Sequence, residues 1–268
     1  MSAAPDVLGI IDASRHSGTA VEDDLRSISP KQLPLLVRRR AAALARRGVS
    51  TSDRVVVVAP TSAASIEVYL ACLLLGAIWV GINPAAPEAE RQRLVALVRP
   101  ALIVVDDSIS WASDPRVVKL STILDEDCPP WEDPPPALSL PCAIAFTSGT
   151  TSTPKAVVQS RAGASLTAAA VATQFRRDDR VGAILPLSIH NVMVVGPMAA
   201  LLAGITVVVN SRLNARGVAD ACAQKKRSML SALVPTTIYD LVHDDSISPA
   251  SLSSLRCASS GGADLSES

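Results

Sequence analysis

The residues best equipped for chemistry lie together at Phe146-Thr147-Ser148-Gly149-Thr150-Thr151-Ser152-Thr153-Pro154-Lys155. Four threonines and two serines surround one glycine, and a proline sets the approach of a lysine. Strand-forming runs flank the segment, Ala143-Ile144-Ala145-Phe146 before it and Ala156-Val157-Val158 after it. Such a loop offers hydroxyl donors, exposed backbone N–H groups and one cation within a few residues. Oriented amides and a lysine complement the charge of a polyphosphate. A Walker loop would need a second glycine before Lys-Ser or Lys-Thr and a helix beginning there. Here Pro154 holds the glycine's place and Ala156 follows the lysine. A dinucleotide fingerprint would need three closely spaced glycines, and only Gly149 is present. On composition alone a polar hairpin turn serves as well, because Ser, Thr, Gly and Pro all favour turns.

Four further segments bear on chemistry. Leu185-Pro186-Leu187-Ser188-Ile189-His190 carries a histidine in apolar company, a setting typical of a hydrogen-bonded core residue. Ser259-Ser260-Gly261-Gly262-Ala263 reads as a strand entering a glycine turn that admits close approach of a flat ring. Asp53-Arg54-Val55-Val56-Val57 is followed by Gly76-Ala77-Ile78-Trp79-Val80-Gly81-Ile82-Asn83-Pro84.

The order Thr147-Ser148-Gly149-Thr150-Thr151-x-x-Pro154-Lys155 closely resembles the phosphate-binding loop of the adenylate-forming acyl- and aryl-CoA synthetases. That superfamily also includes luciferases and peptide-synthetase adenylation domains. The Asp53 to Pro84 segment is similar to the first subdomain of its acyl-CoA synthetases, and the Asn-Pro ending is nearer to the CoA ligases. The resemblance implies that Thr147, Ser148, Gly149, Thr150, Thr151 and Lys155 hold the phosphates of ATP. It implies that Gly261, Gly262 and Ala263 border the adenine. His190 corresponds to a Pro-Leu-x-His histidine near the acyl pocket, with one extra residue before it. Two positions depart from the pattern, Ser152 and Ala156 standing where the family usually has glycine. A side chain there would be costly if the glycines served positive φ.

The implied activity is that of an AMP-forming acyl-CoA synthetase, as in fatty acid metabolism, taking a small-molecule carboxylate (an acyl or aryl acid), ATP and CoA, with Mg2+. The alternative is a non-catalytic nucleotide-binding or interaction module on the same fold. The resemblance covers residues 30 to 268. The family's Tyr-Gly-x-Thr-Glu-like segment, with its magnesium glutamate, finds no match in it. Nor do the ribose-binding aspartate, the hinge and the lysine-bearing C-terminal domain. The expectation is thus a partial enzyme, impaired alone, with no catalytic residue or Mg2+ ligand assigned. A fragment, a disrupted gene product and a chain completed by a partner all fit.

The elements that must position these residues follow an α/β alternation. Continuous apolar runs read as parallel strands at 54–59, 77–80 and 101–105, separated by helices at 63–75 and after Pro87. Further strands are expected at 181–185, 205–209 and 228–234, with helices at 160–175, 215–226 and from Pro235 to His243. The expected fold class is α/β, layered sheets covered by helices, which the resemblance likens to a truncated form of the large N-terminal domain of acyl-CoA synthetases. Residues 1–30 read as a peripheral lead-in and 31–127 as a first α/β segment. Residues 128–141 read as a stiff proline-rich connector, and 142–268 as an ATP-phosphate-loop segment with a second α/β subdomain, expected to be incomplete at the C-terminus. The arginines of the helix from Lys31 to Arg47 read as a solvated face.

Composition excludes several classes. With 25 basic and 25 acidic residues the formal charge is zero, and aromatics are 3%, so a nucleic-acid surface is not expected. Five scattered cysteines and three distant histidines show no metal-ligand spacing, and they fit reduced thiols in a cytoplasmic protein without a secretory signal. Val192 to Val209 carries no charge, yet Gly196-Pro197 and Gly204 divide it into a buried helix and a strand rather than a membrane span.

Overall fold

A computed structural model describes residues 5–260 apart from 13, 15, 17, 148–153, 211, 213, 226 and 227. Several described residues among the first thirty belong to the core rather than to a periphery. Helix α1 (Val7–Ile10) and strands β1 (Val21–Glu22) and β2 (Ser27–Ile28) place Val7, Ile10, Ile11, Val21 and Ile28 in the core. Their short apolar runs carry no period to reveal this, because each buries only a few side chains against distant elements.

Helix α2 (Gln32–Ala45) leads to β3 (Arg54–Val58), α3 (Ala63–Leu75), β4 (Ile78–Gly81), α4 (Glu88–Val98), β5 (Leu102–Val105), β6 (Val117–Lys119) and α5 (Leu120–Asp125). Ser62 caps α3 by accepting from the Ser65 N–H, and Gly76 ends it at φ +87°. Every residue of α3 is buried, which explains its nearly unbroken apolar sequence. Its one charge, Glu67, pairs with Arg26 at 2.5 Å and Arg40 at 3.0 Å.

The arginines in and just after α2 are accordingly not a wholly solvated face, although Arg46 stays exposed. Arg40 is buried, Arg38 donates to the Trp131 carbonyl at 2.6 Å, and Arg46 and Arg47 both pair with Glu126. Helix α5 and the proline-rich connector run past this side of α2 and supply the acceptors. The connector is strapped down in return, with Trp131 N–H donating to Arg38 O and Cys128 Sγ to Arg39 O.

Beyond it come β7 (Pro141–Thr147), β8 (Lys155–Ser160), α6 (Arg161–Ala172) and β9 (Arg180–Ala183). Next are α7 (His190–Met193), a π turn at Val194–Met198, α8 (Ala199–Ala203) and β10 (Thr206–Val209). The chain continues through α9 (Ala215–Lys225), β11 (Met229–Leu233), α10 (Pro235–His243), a 3₁₀ turn at Pro249–Leu252 and β12 (Cys257–Ser260). Pro197 lies inside the π turn, where its missing N–H loosens the helical ladder. The uncharged stretch is thus helix, Gly204 stop and strand. Among the described residues no helix is long and apolar enough to cross a membrane.

Among the described residues two six-stranded sheets result, ordered β6-β5-β3-β4-β7-β8 and β12-β11-β9-β10-β1-β2. Both are parallel except at one edge, where β8 runs against β7 and β2 against β1. The sheets meet where the loop after β9 crosses the end of β4. A Cβ on Gly81 would lie 2.7 Å from Ser188 Cα and also collide with the Ser188 carbonyl and the Trp79 ring. Leu187 N–H donates to Thr61 Oγ1 at 3.1 Å in the same place. Backbone cannot yield as a side-chain tip can, so Gly81→Ala is expected to destabilise the fold by about 1–3 kcal/mol, the usual range for overpacking. Urea unfolding of the variant beside the unaltered chain measures this.

Candidate functional site

The segment expected to bind phosphate joins β7 to β8, which pair as an antiparallel hairpin. Thr147 and Lys155 are cross-strand partners, the last pair before the loop. Directly opposed residues point to the same face, with Cβ atoms about 5 Å apart, so a hydroxyl and an ammonium stand side by side at its mouth. Both residues are exposed, and Lys155 makes no ion pair among the described residues. Ala156 pairs with Phe146 in ordinary extended backbone and has no positive φ. An alanine in place of glycine is therefore unstrained at that position. Ser148, Gly149, Thr150, Thr151 and Ser152 lie outside the described residues.

His190 opens α7 after the loop that leaves β9. It is buried at 5% exposure, with Nε2 3.1 Å from Tyr69 Oη and 4.0 Å from Cys142 Sγ. The Tyr69 and Trp79 rings lie 5.8 and 6.2 Å away, centroid to centroid. Burial lowers the imidazole pKa to about 4, so the ring is neutral near pH 7. The neighbouring thiols Cys72 and Cys142 are pushed up by burial, to about 12 and about 11, and stay protonated. Arg161, buried beside them, donates to the carbonyls of Leu73 and Ala77. Cys142 belongs to the same strand as Thr147, five residues earlier, a rise of roughly 17 Å. The histidine thus sits at the root of the hairpin, well away from its tip.

The third segment follows β12. Asp179, beside β9, accepts from Ser228 Oγ at 2.8 Å and from both Nε and Nη2 of Arg256, which leads into β12. Burial tends to raise the Asp179 carboxyl, but Arg256, the Arg176 N–H and the Ser228 hydroxyl outweigh it and leave it lowered. This cluster fixes β12 against β11 and β9. Gly261, Gly262 and Ala263 lie outside the described residues.

The three segments have one relation in common. β7 is parallel to β4, and β9, β11 and β12 are mutually parallel. The hairpin tip, the His190 loop and the segment after β12 therefore all leave carboxyl ends of parallel strands, where open α/β sheets bind ligands. Sequence reading missed Tyr69, Trp79 and the Asp179–Arg256 pair. Tyr69 and His190 are 121 positions apart, so no local pattern could link them. Lys155 offers donors alone and the Thr147 hydroxyl can donate beside it, which suits phosphate oxygens. Among the described residues no group of three or more His, Cys, Asp or Glu side chains is placed to hold a metal ion.

A family model for AMP-binding enzymes matches residues 12–268. The chain belongs to the AMP-binding enzyme family. Its relatives include the indoleacetate–CoA ligase of Aromatoleum aromaticum, 29% identical over 92% of this chain and 53% of that protein. Another is the feruloyl-CoA synthase of an Amycolatopsis species, 27% identical over 94% and 51%. The chain spans about half the length of these curated relatives. Among solved structures, the N-terminal subdomain of Klebsiella oxytoca NpsA superposes with a TM-score of 0.85, at 21% identity over 99% of this chain and 68% of that one. The o-succinylbenzoate CoA synthetase of Bacillus subtilis, solved with an acyl-adenylate, gives 0.84 at 21% identity over 96% and 54%. The likeness identifies the fold as the N-terminal domain of adenylate-forming enzymes, in agreement with the expected fold class.

Burial of His190 in this AMP-binding fold has a pH signature. An unfolded histidine takes its proton near pH 6.5, whereas the folded one refuses it down to about pH 4. Between those values the unfolded chain binds more protons, so stability rises with pH and is lost as pH falls. The full effect is on the order of 3 kcal/mol. Urea unfolding from pH 7 to 4 is expected to show a steeper loss in the unaltered chain than in His190→Asn, with carboxylate titrations common to both.

Proposed function

We propose that this chain forms the ATP- and carboxylate-binding part of an AMP-forming acid–thiol ligase. In the whole reaction a carboxylate oxygen attacks the α-phosphorus of ATP, the bond to the β-phosphate breaks, and pyrophosphate leaves. The CoA thiol then attacks the acyl carbonyl and expels AMP. The observation that carries the reading is the Thr147–Lys155 pair, set across the hairpin mouth at the carboxyl edge of the first sheet. Lys155 supplies charge to the phosphate tail, and Thr147, Ser148, Thr150 and Thr151 supply hydroxyl or backbone donors. Gly149 lets the backbone close on the phosphates. Gly261, Gly262 and Ala263 border the adenine, and His190 borders the acid. The relatives named for indoleacetate and ferulate support an aryl acid as the substrate class. ATP-dependent activation in the cytoplasm, with CoA as acceptor, belongs to the same proposal. Mg2+ would screen the phosphate charge when bound; no described residue is assigned to hold it.

Calorimetric titration with ATP tests the phosphate site. Lys155→Ala is expected to weaken binding about ten- to a hundredfold, the range for losing a hydrogen bond to a charged group, and Thr150→Val to weaken it less. An unaltered isotherm would remove the lysine from the site. Pyrophosphate exchange driven by indoleacetate or ferulate tests the chemistry. Exchange by this chain would exclude a non-catalytic nucleotide-binding module, and ATP binding without exchange under any acid would favour one.

A further inference from the structure

We propose that Tyr69 is a positioning residue for the acid site: its hydroxyl holds Nε2 of His190 and leaves an N–H at Nδ1 to face the carboxylate. This rests on the reading that His190 borders the acid. The Tyr69 hydroxyl has one proton and two neighbours, His190 Nε2 at 3.1 Å and Met198 Sδ at 3.1 Å. An imidazole nitrogen is a far better acceptor than a thioether sulfur, so the proton goes to Nε2. Nε2 accepting fixes the tautomer with the proton on Nδ1, and Nδ1 makes no hydrogen bond to any described residue. A neutral N–H donor suits a carboxylate or acyl oxygen.

The surroundings make Tyr69 a rigid support. It is fully buried on α3, and the Trp79 ring meets it edge-on at 5.4 Å and 88°. The loop that delivers His190 is pinned to the same unit by the Leu187–Thr61 hydrogen bond and the close approach at Gly81. Three contacts from the first sheet's layer thus set the position, plane and tautomer of a ring that belongs to the second. Cys142, 4.0 Å from Nε2, stays a thiol and offers only a weak alternative partner.

Imidazole 15N spectroscopy tests this without any turnover, since the chain has three histidines and His190→Asn assigns the signal. In the unaltered protein His190 is expected as the Nδ1–H tautomer. Tyr69→Phe should move both ring nitrogens and weaken indoleacetate or ferulate binding about three- to tenfold, the range for one neutral hydrogen bond. Its ATP affinity should not change. His190→Asn, whose amide can stand near Nδ1, should keep more of the acid affinity than His190→Gln, whose amide stands near Nε2. An Nε2–H tautomer in the unaltered chain, or ring signals indifferent to Tyr69→Phe, would overturn the proposal even if that variant folded poorly. Normal acid affinity in both His190 variants would instead overturn the placement of the acid beside this ring, whatever the spectra show.

Discussion

The meeting of two backbones, Gly81 at the end of β4 and Ser188 in the loop after β9, is the constraint on which the arrangement turns. There is no room for a Cβ, so the second sheet's loop lies directly on the first sheet's strand. The Thr61 hydrogen bond and the Tyr69–His190 contact follow from that closeness. With the loop set there, the hairpin of β7 and β8 shares a wall with it through Cys142. A wider gap would let water reach the imidazole and remove the burial that keeps it neutral.

Burial has a different consequence at α3. A helix enclosed on all sides has no solvated stripe for a charge, yet Glu67 lies in it with the guanidinium groups of Arg26 and Arg40. Burial raises its pKa, and the two arginines oppose that shift without cancelling it. Such a pair is seldom a net source of stability, but removing one partner strands the other at a cost of about 3–5 kcal/mol. Because Arg26 comes from the first thirty residues and Arg40 from α2, the triad fixes both segments to α3. The Asp179–Arg256 pair does comparable work in the second sheet, where it aligns β12 with β9.

All three candidate segments emerge from carboxyl ends of parallel strands, one in the first sheet and two in the second. The phosphate segment is carried by an edge hairpin whose second strand is exposed along most of its length, whereas the histidine is enclosed. The two ends of the proposed site therefore differ in kind: solvated donors at one, a dry and prearranged ring at the other. Hydrogen bonds to the ring's enclosed nitrogen act in a medium that screens them little.

Much was legible in the chain itself. Strands β3, β4, β5 and β10 were readable because a strand buried on both faces must be apolar throughout, and α3 because Ser62 and Gly76 mark its ends. The Thr147 to Lys155 order and its flanking strands were enough to find the hairpin. Tertiary structure alone decided that Val7, Ile10, Ile11, Val21 and Ile28 enter the core, since two-residue strands have too few positions for a period. It decided that Arg38, Arg40 and Arg47 are partnered, because the Trp131 carbonyl, Glu67 and Glu126 arrive from 27 or more positions away. It also decided that His190 is held by Tyr69. Local sequence records which face a residue prefers; only the closed chain determines what lies against that face.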